Sequence, residues 1–329
     1  MSFSSDVKGE LARIETNKKA EQLAEIAGFL RVSSSVRLAG GGNFVIVCET
    51  ENAAIARHYK WLIKEYFRSN ASFEVGESLK PGKSKNGANR YILSITPEEK
   101  SGHILRETGL LLIREGMDFL ADGIYPEVVK SKGSKRAYLR GLFLGAGTVT
   151  DPRKSYHLEF VVGTSQTAND LKRIISTFED LSANINERKG RFAVYMKKAD
   201  YISDTLALMG AGAAVLEMEN IRIVRGQRAV AQRHDNCDYA NMDRTLSAAE
   251  EQLANIKYIE ENLGLDALSP ELIAVAKLRL SQPEASLSEI GEALNPPIGK
   301  AAVSKRFAKI KEIADPDFEA VKECSSIRR

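Results

Sequence analysis

Two short stretches restrict this chain more than any others. The segment A-Y-L-R-G-L-F-L-G-A-G, from Ala137 to Gly147, sets Ala137, Gly141 and Gly145 four residues apart. On a helix such residues share one face. Leu139, Leu142, Phe143 and Leu144 surround that bare stripe. A glycine inside a helix costs about 1 kcal/mol against alanine. Two glycines in one helix therefore point to a packing reason, namely a second backbone approaching very closely. The same device occurs upstream at Ala20, Ala24 and Gly28, in K-A-E-Q-L-A-E-I-A-G-F-L. Two small-faced helices in one chain indicate an internal duplication.

The order of elements around the two stripes agrees. A first helix is expected over residues 5–14 and the first small-faced helix over 18–31. S-S-S-V-R-L-A-G-G-G then reads as a turn-rich break, and N-F-V-I-V-C-E-T as a buried strand. An amphipathic helix over 52–69 carries the only tryptophan, Trp61. Strands follow near Phe73–Glu77 and Arg90–Ile95, and residues 98–116 look helical. The second copy opens with the small-faced helix over 136–146 and a strand from Tyr156 to Gly163. A helix over 166–180, strands near Ala183–Glu187 and Arg191–Met196, and a helix over 198–209 complete it. Gly28 and Gly141 are 113 residues apart. A period that long, occurring twice, means a duplicated domain rather than a solenoid.

From Ile221 the character changes. I-R-I-V-R-G-Q-R-A-V-A-Q-R carries Arg222, Arg225, Arg228 and Arg233, candidate phosphate contacts, with no acid, and 243–262 reads as a polar helix. Ser269 and Pro270 then form an N-cap and first helical position. Three helices follow, at about 270–281, 286–294 and 300–313. The middle one opens with a capping box, Ser286 and Glu289, and has Leu287, Ile290 and Leu294 on its apolar face. A short turn, N-P-P-I-G, leads to K-A-A-V-S-K-R-F-A-K-I-K, where Val303, Phe307 and Ile310 form the buried stripe. That last helix carries Lys300, Lys305, Arg306, Lys309 and Lys311. Two short helices joined by a tight turn, the second basic, fit a helix-turn-helix over Ser286 to Ile313. The cations would neutralise phosphates, while Ala301, Ala302, Ser304 and Lys305 would approach base edges of double-stranded DNA. The plainer reading is a three-helix bundle with a solvated basic face, but capping, turn and charge asymmetry all agree on the helix-turn-helix.

Composition excludes more than it proposes. The 329 residues are 43% hydrophobic and 28% charged, with a formal net charge of +3, which is ordinary for a globular chain of two or three domains. Cys48, Cys237 and Cys324 have no paired spacing, and the four histidines are scattered. No disulfide framework, metal site or cofactor is expected, which fits a reducing cytoplasm. No apolar run reaches the ~18 residues of a membrane span, and the N-terminus M-S-F-S-S-D-V-K-G-E does not read as a signal peptide. G-A-G-T-V-T, from Gly145, lacks the last glycine of a dinucleotide fingerprint and follows a helix instead of a strand. P-G-K-S, from Pro81, has Glu77 where a phosphate-binding loop needs its first glycine. It reads as a hairpin tip, with two roles open for Lys80, Lys83, Lys85 and Arg90: phosphate contacts or a solvated turn.

The two small-faced helices resemble those of the LAGLIDADG homing endonucleases, where the motif helices pack at a pseudo-twofold axis beneath a DNA-binding saddle. L-R-G-L-F-L-G-A-G, Leu139 to Gly147, matches the motif through its glycines and leucines, and I-A-G-F-L-R-V-S-S, Ile26 to Ser34, matches less fully. Active members carry a metal-binding acid just before the last glycine. Those positions are Ser33 and Ala146 here, and neither supplies a carboxylate for magnesium. Asp151 lies beyond the motif and is not expected to replace it.

A degenerate motif pair followed by an arginine-rich linker and a helix-turn-helix resembles the WhiA family along nearly the whole chain. The opening S-F-S-S-D-V-K-G-E-L, the linker N-C-D-Y-A-N-M-D-R-T (Asn236 to Thr245) and S-L-S-E-I-G-E-A-L carry the resemblance. One departure is A-A-V-S-K-R, where relatives typically carry S-G-V-N-H-R; Val303 and Arg306 are shared. The resemblance implies an α/β (α+β) fold, with a duplicated LAGLIDADG-like domain over 1–225 in halves of about 1–126 and 127–225. A basic helical linker over 226–265 and an all-α helix-turn-helix domain over 266–329 complete the expected layout. It also implies a non-catalytic, nucleoid-associated bacterial DNA-binding regulator of sporulation, cell division or chromosome segregation. A WhiB-type iron–sulfur regulator, or another transcription or division protein, is the implied protein partner. Two alternatives stay open: an active endonuclease, and an N-terminal domain that serves as a protein-interaction platform.

Overall fold

The computed structural model describes residues 2–77 and 89–315. The chain divides into two compact units, Met1–Arg225 and Gly226–Arg329.

The first unit is built twice on one plan. After α1 (Phe3–Leu11), the first copy runs α2 (Lys19–Ser33), β1 (Ser34–Gly40), β2 (Asn43–Thr50), α3 (Ala53–Phe67), β3 (Ser72–Glu77), β4 (Asn89–Ile95) and α4 (Ser101–Glu107). A hairpin of β5 (Leu111–Arg114) and β6 (Met117–Leu120) then separates the copies. The second copy runs α5 (Lys132–Ala146), β7 (Gly147–Val149), β8 (Leu158–Val162), α6 (Ser165–Ile175), β9 (Asn184–Arg188), β10 (Arg191–Met196) and α7 (Ala199–Met209). Both four-stranded sheets are antiparallel, with the orders β1-β2-β4-β3 and β7-β8-β10-β9. The identical topologies establish the duplication.

The axis of the unit is the crossing of α2 and α5. A Cβ built on Gly28 would stand 2.4 Å from the Tyr138 carbonyl oxygen. One built on Gly141 would stand 2.2 Å from the Glu25 carbonyl oxygen. The contact is reciprocal, since each glycine admits the partner helix's backbone at the position three residues before the partner glycine. Each helix passes directly into a strand, through Ser34 at φ −95° and Gly147 at φ −81°. Strand alternation turns Ile46, Cys48, Leu93 and Ile95 inward in the first sheet, and Leu158, Phe160, Val194 and Met196 inward in the second.

Two sequence expectations fail here, and a third is extended. Residues 34–40 are not a break but the edge strand β1, because Ser34 to Leu38 pair with Cys48 to Phe44 of β2. The glycines that suggested a turn, Gly40 to Gly42, all have positive φ and form the hairpin tip. Residues 98–116 are not one helix: α4 stops at Glu107, Gly109 takes φ +68°, and β5 begins two residues later. The arginine-rich stretch and the polar helix are a single helix, α8 (Gly212–Asn262). That run contains no proline, and its one interior glycine, Gly226, costs too little to break it.

The second unit has its own core. Ile256 and Ile259 of α8 pack with α9 (Pro270–Ser281), α10 (Leu287–Ala293) and α11 (Lys300–Ala314). No helix among the described residues is long and apolar enough to cross a membrane.

Candidate nucleic-acid interface

The interface is built outward from the start of α10. Ser286 Oγ accepts from the Glu289 backbone N–H at 3.3 Å, and the Glu289 carboxylate accepts from the Ser286 N–H at 2.7 Å. Both halves of the capping box are thus formed. The bond from the Ser286 backbone, then that from its side chain, holds the Glu289 carboxyl below its ordinary value. Ile290 and Leu294 are buried, and Leu287 packs against the same core.

Gly291 seats the turn. A Cβ there would lie 2.2 Å from the Ile298 carbonyl oxygen, and the Ile298 N–H donates to the Gly291 carbonyl at 3.0 Å. The chain then re-enters helix at Lys300 with its apolar stripe already aimed inward. Val303, Phe307, Ile310 and Ala314 are buried along α11. Ala301, Ala302, Ser304, Lys305, Ala308 and Lys309 are exposed on the remaining surface. The outer face therefore alternates small residues, which permit close approach, with cations at its edges.

The predicted cations divide into two groups. Lys300, Lys305 and Lys309 are exposed and have no ion pair among the described residues. Arg306 is half-buried and bonded to Glu271 of α9 at 3.1 Å. Lys311 pairs with Glu251 of α8 at 2.5 Å, and that hydrogen bond raises its pKa. Along α8, Arg222 pairs with Asp200 and Glu219, and Arg225 donates to the carbonyls of Pro152 and Arg153 at 2.8 and 2.7 Å. Arg228 and Arg233 are exposed and have no ion pair among the described residues. Arg90 is tied to Glu49 across the first sheet. Lys80, Lys83 and Lys85 lie outside the described residues.

Two buried polar clusters gave no sequence signal. In the second unit Arg279 is 2% exposed, and burial lowers its pKa. In the first, Glu25 accepts from Arg140 Nη2 at 2.6 Å and Nε at 3.0 Å, and meets His58 Nε2 at 2.8 Å. In the sequence His58 is one of four scattered histidines. Its partner lies thirty-three residues away, so local spacing could not reveal it.

The positions of the motif acids do not fit a divalent cation. Ser33 Oγ donates to the Phe29 carbonyl, four residues back, and Ala146 has no side-chain donor atom. Asp151 accepts from the Arg153 N–H at 2.8 Å and also faces the Arg153 guanidinium. A hard cation needs several oxygen ligands, and Ser33 and Ala146 do not provide a carboxylate among them.

Similarities to known proteins cover both units. The family model described as the WhiA N-terminal LAGLIDADG-like domain matches residues 19–111, and that of the WhiA LAGLIDADG-like domain matches 135–228. The WhiA C-terminal HTH domain matches 231–314. A protein named "Probable cell division protein WhiA" from Alkaliphilus metalliredigens is 39% identical over 315 residues, covering 96% of this chain and 98% of the relative. Its namesake from Thermoanaerobacter pseudethanolicus is 39% identical over 316 residues, covering 95% and 97%. The crystal structure of full-length DUF199/WhiA from Thermatoga maritima superposes with a TM-score of 0.56 at 25% identity, covering 95% of this chain and 98% of that one. With two LAGLIDADG-like domains followed by a helix-turn-helix domain, the chain belongs to the WhiA family.

Proposed function

We propose that this protein is a non-catalytic bacterial regulator that binds double-stranded DNA through α10 and α11, in the cytoplasm and at the nucleoid. The observation that carries the reading is the outer face of α11: Ala301, Ala302 and Ser304 bare, Lys300, Lys305 and Lys309 beside them with no ion pair among the described residues, Val303 and Phe307 beneath. Helix docking in the major groove uses small side chains for approach and cations for phosphates. Arg306 acts first by holding α11 to α9 through Glu271, which lowers its rank among direct contacts. Arg228 and Arg233 remain candidates for phosphate contact, whereas Arg90, Arg222, Arg225 and Lys311 already have partners. The working domains are 1–225, a helical connector over 226–265, and 266–329.

The names of the relatives point to cell division as the process served. Control of division, segregation or sporulation genes, with a WhiB-type iron–sulfur regulator or another transcription or division protein alongside, is the finer reading. The test is chromosome-wide mapping of bound sites with the intact protein and with a Lys300→Glu, Lys305→Glu, Lys309→Glu variant. Discrete sites lost in the variant are expected; sites unchanged by it would remove α11 from the interface. A plasmid cleavage assay with magnesium or manganese is expected to give intact plasmid, and metal-dependent cutting would restore the nuclease reading.

One observation favours a protein-binding role for the LAGLIDADG-like unit. The face of the first sheet opposite its core holds Val45, Val47 and Ile92, and its Arg90 is neutralised by Glu49. The corresponding face of the second sheet holds Val161, Ala193 and Tyr195 around Glu159. Arg37 shares the first face and Arg188 and Arg191 the second, so the apolar centres Val45, Val47, Ile92 and Val161 carry the protein-binding reading and the flanking arginines do not. A pull-down with residues 1–225 tests it.

A further inference from the structure

Arg279 stands where four segments of the second unit meet. It lies in the last turn of α9 and is 2% exposed. Its Nε donates to Gln252 Oε1 of α8 at 3.1 Å. Its Nη1 donates to two carbonyl oxygens of the α9–α10 connector, Pro283 at 3.1 Å and Ala285 at 2.5 Å. Its Cζ lies 5.4 Å from the centroid of the Phe307 ring, on the buried face of α11. All four of these partners are neutral, and Arg279 has no ion pair among the described residues. A buried cation without a counter-ion is costly, so a guanidinium here needs a reason beyond filling space. The planar fork offers one: its donors point in fixed directions while its face stacks on an aromatic ring, which an ammonium or an aliphatic chain cannot reproduce.

The placement of those partners matters. Ala285 immediately precedes Ser286 and Pro283 lies three residues before it, so their carbonyls set where α10 begins. Phe307 shares the buried stripe of α11 with Val303, whereas Ala301, Ala302, Ser304 and Lys305 are exposed. One rigid group thus ties the start of α10 to the underside of α11. We propose that Arg279 is the positioning residue of the recognition helix, fixing α11 relative to α10 so that its outer face meets base edges in register. The inference rests on the DNA-binding reading above. Phosphate contacts tolerate small shifts of a helix, whereas base contacts do not, so loss of Arg279 should damage specificity more than affinity for DNA in general.

The test uses the full chain. Wild type first selects a duplex from a randomised library, and that duplex and a scrambled version of it serve as probes. Arg279→Met and Arg279→Lys are then titrated with both over a range of salt, and their melting is recorded. Both variants are expected to bind the selected duplex about tenfold more weakly, the size of one lost bidentate base contact. Affinity for the scrambled duplex and the salt slope should stay unchanged. Phe307→Leu, which keeps the core apolar, should shift specificity in the same direction by less. Full retention of specificity by Arg279→Lys would overturn the role of the fork. Equal weakening on both duplexes, in step with lowered melting, would make Arg279 a fold-stabilising residue only. If wild type selects no duplex, the DNA reading falls and the positioning role falls with it.

Discussion

The α2–α5 crossing and the α10–α11 pair use the same residue types to opposite ends. Each has a glycine whose hydrogen faces a backbone carbonyl oxygen at a distance no Cβ could tolerate: Gly141 against Glu25, and Gly291 against Ile298, both 2.2 Å from a built Cβ. At the crossing, the small stripe is turned inward and large apolar residues close over it, so that Ala137 and Leu139 are 1% exposed and Leu142 is fully buried. At the second pair, the glycine seats the turn, and the small residues Ala301, Ala302 and Ser304 stay outside. A line of small side chains therefore has no fixed meaning. Leucine and phenylalanine beside it make it a packing surface; lysine beside it makes it a surface presented to a partner.

The two buried arginines extend the contrast. Arg140 has Glu25 as counter-ion and bridges the two halves of a duplicated domain. Among the described residues Arg279 has only neutral acceptors and an aromatic ring. The first belongs to the helix pair that carries Ser33 and Ala146 at the positions of the motif acids. The second lies beneath the helix we assign to recognition.

These differences can be broken at named positions. Glu25→Ala should have the largest effect, because it leaves Arg140 and His58 buried without their shared partner. Breaking a buried pair from one side costs roughly 3–5 kcal/mol, to be read from denaturant unfolding of the first unit. A cost under about 1 kcal/mol would show that the cluster is dispensable. Gly141→Ala should cost about 1–3 kcal/mol through forced separation of α2 and α5. If the same experiment left stability unchanged, the crossing would be looser than described. Lys305→Ala with Lys309→Ala should leave melting untouched and weaken DNA binding about tenfold at low salt, with a shallower salt dependence. Undiminished binding would move the interface off α11.

The smallest effect belongs to the capping box. The Glu289 carboxyl is held below its ordinary value of 4.5 in the folded state. A depressed folded pKa adds stability above the unfolded value and loses it as pH falls through the folded one. The melting difference between wild type and Glu289→Gln should therefore be present at neutral pH and vanish on acidification through that range. A difference that persisted in acid would assign the effect to something other than the charge.

Helices with local signals were the most legible parts of the chain. α9, α10 and α11 fall within a residue or two of expectation, because Pro270 at the first position, the Ser286–Glu289 box and the buried stripe of α11 all act within a few residues. The strand β1 was not legible, since its Ser-rich sequence becomes a strand only by pairing with β2. The β5–β6 hairpin was hidden for a related reason: Leu110 to Ile113 continue the apolar run of α4, and only the positive φ of Gly109 separates them. Among the site residues, exposure along α11 could be read from periodicity, but the capture of Arg306 by Glu271 could not.

The sequence by itself determined the duplication, the two small-faced helices, the missing motif acids and the boundaries of the last three helices. Each depends on residue identity or on spacing within one or two helical turns. The tertiary structure decided which cations remain free, which polar groups pair in the interior, and that Arg279 joins α8, α9, α10 and α11. Those outcomes depend on partners tens of residues away, brought together by burial of apolar surface, and no local spacing encodes them.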